Sequence, residues 1–298
     1  MDRIGKYVIH KAAVTTGYGR VFFCHDPDLQ IPVAVKVLAP PRDDGPMSAA
    51  QLRTRFEVEA RALAAFDHPH IVPVKTMEHT VDGRPFFVMP YLAAHLEFEI
   101  GKDEAGEGAA DHDKPRRVPL ARALALLKQL SAALTTMHRR GYVHRFVKPS
   151  NILLTARENG QAKLADFSMV KLPERNAPLP DQWLGCTRYC APEQRENATG
   201  VGPEADVYSL GVLTYRLLTG TLPDPAAGPA EMPPRTTPVI AKLVAEATDP
   251  DPARRPAHAG VFLQALAAVP PEALAKPKVQ VLPIRRPMAK RPEPAPAG

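Results

Sequence analysis

The chain has 298 residues, 45% of them hydrophobic, enough to bury a sizeable core as one large domain or two lobes. Its net charge of +6 is uneven: Pro270 to Gly298 carries six Lys/Arg against two Glu, or +4, which leaves +2 for the rest. Three cysteines (Cys24, Cys186, Cys190) cannot build a disulfide framework, no N-terminal stretch reads as a signal peptide, and no run nears the ~18 apolar residues of a membrane span. A reducing, cytoplasmic setting is expected, with no nucleic-acid partner.

Before residue 92 the pattern is that of strands. "YVIHKA", "RVFFCHD", "PVAVKVLA", "VPVKTMEH" and "RPFFVMPYL" are short β-branched or aromatic runs separated by Gly, Pro and Asp. One helix is predicted among them over Ala49–Phe66, where Leu52, Phe56, Ala60, Leu63 and Phe66 recur every three or four residues. Beyond Leu92 the character turns helical. Leu120, Leu124, Leu127, Leu130, Leu134 and Met137 form a stripe, and Asp206–Leu218 and Val239–Ala247 read as further helices. Gly101–Arg117, charged and Gly-rich, reads as a solvated loop insertion. The last segment, with eight prolines from Pro270 on, cannot bury enough surface to fold alone and reads as an extended linker or docking arm.

Some of these residues carry chemistry. Lys36 lies in a strand between β-branched neighbours, and Glu59 stands on the following helix with a face suited to meet it. A lysine held by a glutamate can grip phosphate oxygens. Asp166, expected at a strand end in "KLADFS", with Asn151 fifteen residues earlier, offers hard oxygen ligands for Mg²⁺. Cys186 and Cys190 bracket "TRY", so a redox or metal pair is conceivable there, although no histidine lies close in sequence to complete a zinc site.

Taken in order, "VAVK", Glu59, "HRFVKPSN", "DFS", "CAPEQ" and "DVYSLGV" resemble a protein kinase, most closely the bacterial serine/threonine kinases, over roughly Tyr7 to Leu266. The resemblance implies an α+β bilobal fold: an N-lobe over 1–92 built on a small antiparallel sheet with one helix, a larger, mainly helical C-lobe over 93–268, and a basic Pro-rich tail over 269–298. It implies ATP and Mg²⁺ as cofactors. Lys36 would contact the α/β-phosphates and pair with Glu59, Asp166 and Asn151 would be the metal ligands, and Lys148 would stabilise the transferring phosphoryl group. Gly19 belongs to the loop over the phosphates; Ala34, Met89 and Leu92 would line the adenine pocket, with Pro90 to Leu92 as the hinge. Leu63, Phe167 and His144 would form a hydrophobic spine, Asp206 would anchor the catalytic loop, and Glu193 would pair with Arg255.

The departures from the family pattern matter as much. Phe146 stands where the family places the aspartate that orients the acceptor hydroxyl and takes its proton. Such a base is typically worth 10²–10⁴-fold, about 3–5 kcal/mol of barrier. Val14 and Thr16 replace the first two glycines of the phosphate loop, so Val14 is expected to crowd the ribose or force another loop path, with Gly17 supplying some flexibility. Ser168 replaces the glycine after "DF" and should favour one position of that segment. Met169 to Cys186 contains no Ser, Thr or Tyr, so Arg145 cannot be ordered by phosphorylation there; Glu174 or Asp181 could serve as a fixed anion. Weakened ATP binding follows. The expected function is that of a pseudokinase, a regulatory or interaction module with protein partners reached in part through the tail. The alternatives are a low-activity serine/threonine kinase and a nucleotide-free scaffold.

Overall fold

The structure is a computed structural model that describes residues 2–16, 18–40, 47–173, 188–197 and 200–270. Glu174, Asp181, Cys186 and nearly all of the tail therefore lie outside the described residues, as does Gly17. A curled antiparallel sheet is formed by β1 (Arg3–Ile4), β2 (Tyr7–Thr15), β3 (Gly19–Asp26), β4 (Ile31–Leu38), β5 (Thr76–His79) and β6 (Pro85–Pro90), in the order β1-β2-β3-β4-β6-β5. Strand alternation sorts β4 cleanly. Val33, Val35 and Val37 join Tyr7, Cys24, Phe86 and Val88 in a core on one face, while Lys36 and Leu38 turn to the other.

That second face is covered by α1 (Ala49–Ala64). Its start is set by Ser48, whose hydroxyl accepts from Gln51 N while the Gln51 side chain returns to Ser48 N, a reciprocal cap that satisfies two otherwise orphan donors. Phe56, Ala60 and Leu63, one helical stripe, are buried against the sheet. The strand predicted from Val72 begins only at Thr76. Pro73 has no N–H to give a ladder, and Val72 N is drawn instead to the Leu164 carbonyl at 3.0 Å.

The remaining chain is mainly helical: α2 (Leu96–Ile100), α3 (Leu120–Arg139), α4 (Glu193–Glu196), α5 (Glu204–Thr219), α6 (Pro238–Ala247) and α7 (Ala259–Ala267). The apolar stripe of α3 is buried from Leu124 to Met137, with Leu120 half-buried at its start, and α3 packs on α5 and α7. Gly220 ends α5 at φ 84°, a left-handed turn that glycine makes without a Cβ clash. A second small sheet joins β7 (Ala94–His95), β8 (Ile152–Leu154) and β9 (Ala162–Leu164); β9 is the strand expected ahead of Asp166, while β7 and β8, two and three residues long, carry no sequence signal. No described helix is long and apolar enough to cross a membrane.

The stretch Gly101–Arg117 is mostly exposed, but its start is not a solvated insertion. The guanidinium of Arg216, fully buried on α5, donates to Asp103 Oδ1 (2.9 Å) and to the carbonyls of Ile100, Gly101, Lys102 and Arg116 (3.1–3.2 Å). Tyr189 also donates to Asp103, at 2.8 Å. A side chain at Gly101 would run into the Lys114 carbonyl, 1.9 Å from where its Cβ would sit.

Candidate functional site

Four elements supply the candidate residues, beginning with β4, an interior strand of the large sheet. Strand β4 brings Lys36, α1 brings Glu59, the turn after β9 brings Asp166, and the loop after α3 brings Phe146, Lys148 and Asn151. Lys36 and Glu59 are 2% and 1% exposed, and Lys36 Nζ donates to both Glu59 oxygens at 2.6 and 2.9 Å. Asp166 Oδ1 lies 3.4 Å from the same ammonium. Burial works against the lysine's charge, but Asp166 and Glu59 together hold its pKa above the ordinary value. Burial pushes the Glu59 carboxyl up against the pull of Lys36. Asp166, also opposed by burial, is kept below the ordinary carboxylate value by Lys36 and the Ser168 bonds.

The catalytic-loop region is fixed from beneath by one carboxylate. Asp206 accepts from His144 N (2.8 Å), Arg145 N (2.7 Å) and His138 Nε2 (2.8 Å) in a fully buried position. Those bonds hold Arg145 at φ 63°, a backbone state costly for a non-glycine residue and stable only when over-determined. Arg145 also donates to the Met169 carbonyl at 2.5 Å, and burial lowers its pKa to about 10. His144 stacks edge-on against Phe167, centroids 4.9 Å apart, and both are fully buried with Leu63. Glu193 and Arg255 meet in a two-pronged pair at 2.7 and 2.9 Å.

At the acceptor position the chemistry differs. The Phe146 ring lies under Lys148, whose Nζ is 4.1 Å from the ring centroid. A cation over an aromatic face is attracted by the ring quadrupole, so phenylalanine holds the lysine without offering a proton acceptor. Asn151 Nδ2 donates to the Phe146 carbonyl at 2.9 Å, which commits the amide nitrogen and makes the amide oxygen the atom a hard cation would use. Among the described residues no group of three or more His, Cys, Asp or Glu is arranged to hold a metal. One carboxylate and one amide oxygen nevertheless fit Mg²⁺, which keeps waters and phosphate oxygens in most of its coordination sphere.

The β4–β6 register sets Ala34 opposite Met89, and Leu92 lies two residues beyond the end of β6; all three are half-buried. Gly19 is a position of close approach: an added Cβ would lie 3.1 Å from Lys36 Cε and 3.2 Å from the Val37 carbonyl. Val14 is 62% exposed and pairs with Val21 just after a register shift between Ala12 and Val14, so β2 runs through the position that the family gives to a glycine. Tyr18 is what comes down on Lys36 instead, its hydroxyl 3.1 Å from Glu59 Oε2, an inward-facing residue that the sequence reading passed over. Only its place between two glycines, in "GYG", could have drawn attention to it.

The profile of the protein kinase domain matches residues 15–272. The chain belongs to the protein kinase family. It is 33% identical over 282 residues to the serine/threonine-protein kinase PknA of Mycobacterium tuberculosis, covering 89% of this chain and 61% of that protein. PknL of the same species is 34% identical over 296 residues, 93% of this chain and 68% of the relative. The serine/threonine-protein kinase pkn2 of Myxococcus xanthus is 31% identical over 286 residues, again 89% of this chain but 32% of its own length. The chain thus spans about three fifths, two thirds and one third of these relatives.

Proposed function

We propose that this kinase domain is a pseudokinase: a nucleotide-responsive regulatory module that binds ATP with Mg²⁺ weakly and transfers phosphate poorly or not at all. The observation that carries this reading is the Phe146 ring beneath Lys148. The position that must receive the acceptor's proton holds no basic atom, and the phosphoryl-facing lysine is held by a π face instead of a carboxylate. ATP with Mg²⁺ would supply the phosphates and the bridging cation. Lys36, aligned by Glu59, would grip phosphate oxygens; Asp166 and Asn151 would hold the metal; Ala34, Met89 and Leu92 would wall the adenine; and Gly19 would let the backbone approach. The lobes divide near residue 92, and the basic Pro-rich segment from 269 onward is the arm through which a protein partner is reached, in a cytoplasmic setting.

A second reading is supported by a separate observation. Lys36, Glu59 and Asp166 already stand in bonded contact, and the spine residues are packed, as an active enzyme requires. Phosphoryl transfer leans on positioning and electrostatics, so a serine/threonine kinase of low activity is compatible with this frame. The deciding test is phosphate incorporation into a generic acceptor protein, followed by intact-mass spectrometry with ATP and Mg²⁺ or Mn²⁺, comparing wild type with Asp166→Ala. No incorporation in either supports the pseudokinase. Incorporation that vanishes in Asp166→Ala makes the protein an enzyme and overturns the first reading.

A further inference from the structure

The tip of the β2–β3 hairpin would ordinarily be solvated, and its neighbours Val14, Thr15 and Arg20 are exposed. Tyr18, between them, is 4% exposed. Its hydroxyl lies 3.1 Å from Glu59 Oε2 and 3.1 Å from the Ser168 carbonyl, and Lys36 Nζ is 5.5 Å from its ring centroid. The backbone is pinned as well: Ala39 N donates to the Tyr18 carbonyl at 3.0 Å, and Thr16 N to the Gly19 carbonyl at 2.8 Å. One side chain thereby ties the hairpin, α1 and the Asp166–Ser168 turn together. Burial and the adjacent Glu59 push the phenol well above its ordinary pKa, so it stays a neutral donor.

The place it occupies is the ion set of Lys36, Glu59 and Asp166. We propose that Tyr18 is a strap that closes the phosphate end of the cleft in the nucleotide-free protein, and that ATP with Mg²⁺ binds only after the ring swings out. This rests on the reading of the cleft as a nucleotide site. A ring over Lys36 with its hydroxyl on Glu59 takes the approach that phosphate oxygens would use to reach that lysine. The strapped state is then the stable one, and apparent affinity is lowered by the fraction of molecules that are open. With an open fraction of roughly 1–10%, the strap weakens binding about 10- to 100-fold.

Isothermal titration with ATP and Mg²⁺ tests this on the full chain. Tyr18→Ala should bind about 10- to 100-fold tighter than wild type, Tyr18→Phe should gain less because the ring remains, and Lys36→Met should lose binding. Equal or weaker binding by Tyr18→Ala, while Lys36→Met abolishes it, overturns the strap and leaves the nucleotide site standing, with Tyr18 then a positioning residue for Glu59. Failure of both wild type and Tyr18→Ala to bind at millimolar ATP overturns the nucleotide reading and the strap with it. A readout on the wild-type protein avoids any folding defect: nitration by tetranitromethane with peptide mapping. Tyr18 should be protected alone and reactive once ATP is bound. Protection that persists in the ATP complex overturns the proposal.

Discussion

Replacing Glu59 by alanine would leave Lys36 buried at 2% exposure with Asp166, 3.4 Å away, as its remaining carboxylate. Two contacts of 2.6 and 2.9 Å would vanish, and the Tyr18 hydroxyl would lose one of its two acceptors. Removing one member of a buried ion pair costs ~3–5 kcal/mol, because the other charge stays desolvated without compensation. Asp166 supplies part of the missing field, so the lower end, about 3 kcal/mol, is expected. With a urea slope of ~2–3 kcal/mol/M, the unfolding midpoint should fall by about 1 M. Lys36→Met combined with Glu59→Leu should recover most of that loss, since an apolar pair of similar volume escapes the desolvation cost altogether. The double variant should nevertheless bind no ATP, which separates the stabilising role of the pair from its phosphate-gripping one. A midpoint that moves by less than about 0.3 M in Glu59→Ala, or losses that simply add in the double variant, would refute a coupled buried pair.

Phe146→Asp puts a carboxylate beneath Lys148 in place of the ring; phosphate incorporation should rise about 10²–10⁴-fold, and no rise in a variant that still binds ATP would show that the missing base is not what limits transfer. Asp206 is held below the ordinary carboxyl pKa of 3.8, with burial opposed by His138 and the backbone donors. Its stabilisation is therefore complete above that unfolded value and is lost as pH falls through the lower folded one. Asp206→Asn should cost about 2–4 kcal/mol at pH 7 and flatten the acid limb of a stability–pH curve, and an unchanged acid limb would count against this. Arg216→Leu strips one carboxylate and four carbonyls of their shared donor; a loss of ~3 kcal/mol or more is expected, with amide exchange rising selectively at residues 100–104, and uniform exchange would argue against that local role.

Much of this protein was readable before any coordinates. Short β-branched or aromatic runs bounded by Gly, Pro and Asp placed β2, β3, β4 and β6, and apolar residues every three or four positions placed α1, α3, α5 and α6 within a few residues, because a helix shows burial of one face in its local spacing. The ordered motifs named Lys36, Glu59, Phe146, Lys148, Asn151 and Asp166; the structure bonds Lys36 to Glu59 and Asp166, sets Lys148 over the Phe146 ring and ties Asn151 to the Phe146 carbonyl. The short strands β7 and β8 escaped, since two or three residues carry no period.

What the sequence by itself determined was the family, the loss of a carboxylate at Phe146 and the inventory of charges. Those are properties of residue identity and order along the chain. The ordered motifs also implied the Lys36–Glu59 and Glu193–Arg255 pairs; only the tertiary structure decided the partners of the other buried polar groups. It set Tyr18 on Glu59 across 41 positions, Arg216 on the carbonyls of residues 100–102 across more than a hundred, and Asp206 on His138 across 68. Each of these is a buried polar or charged group, and such a group needs a partner wherever the fold can bring one, at sequence separations that no local pattern encodes.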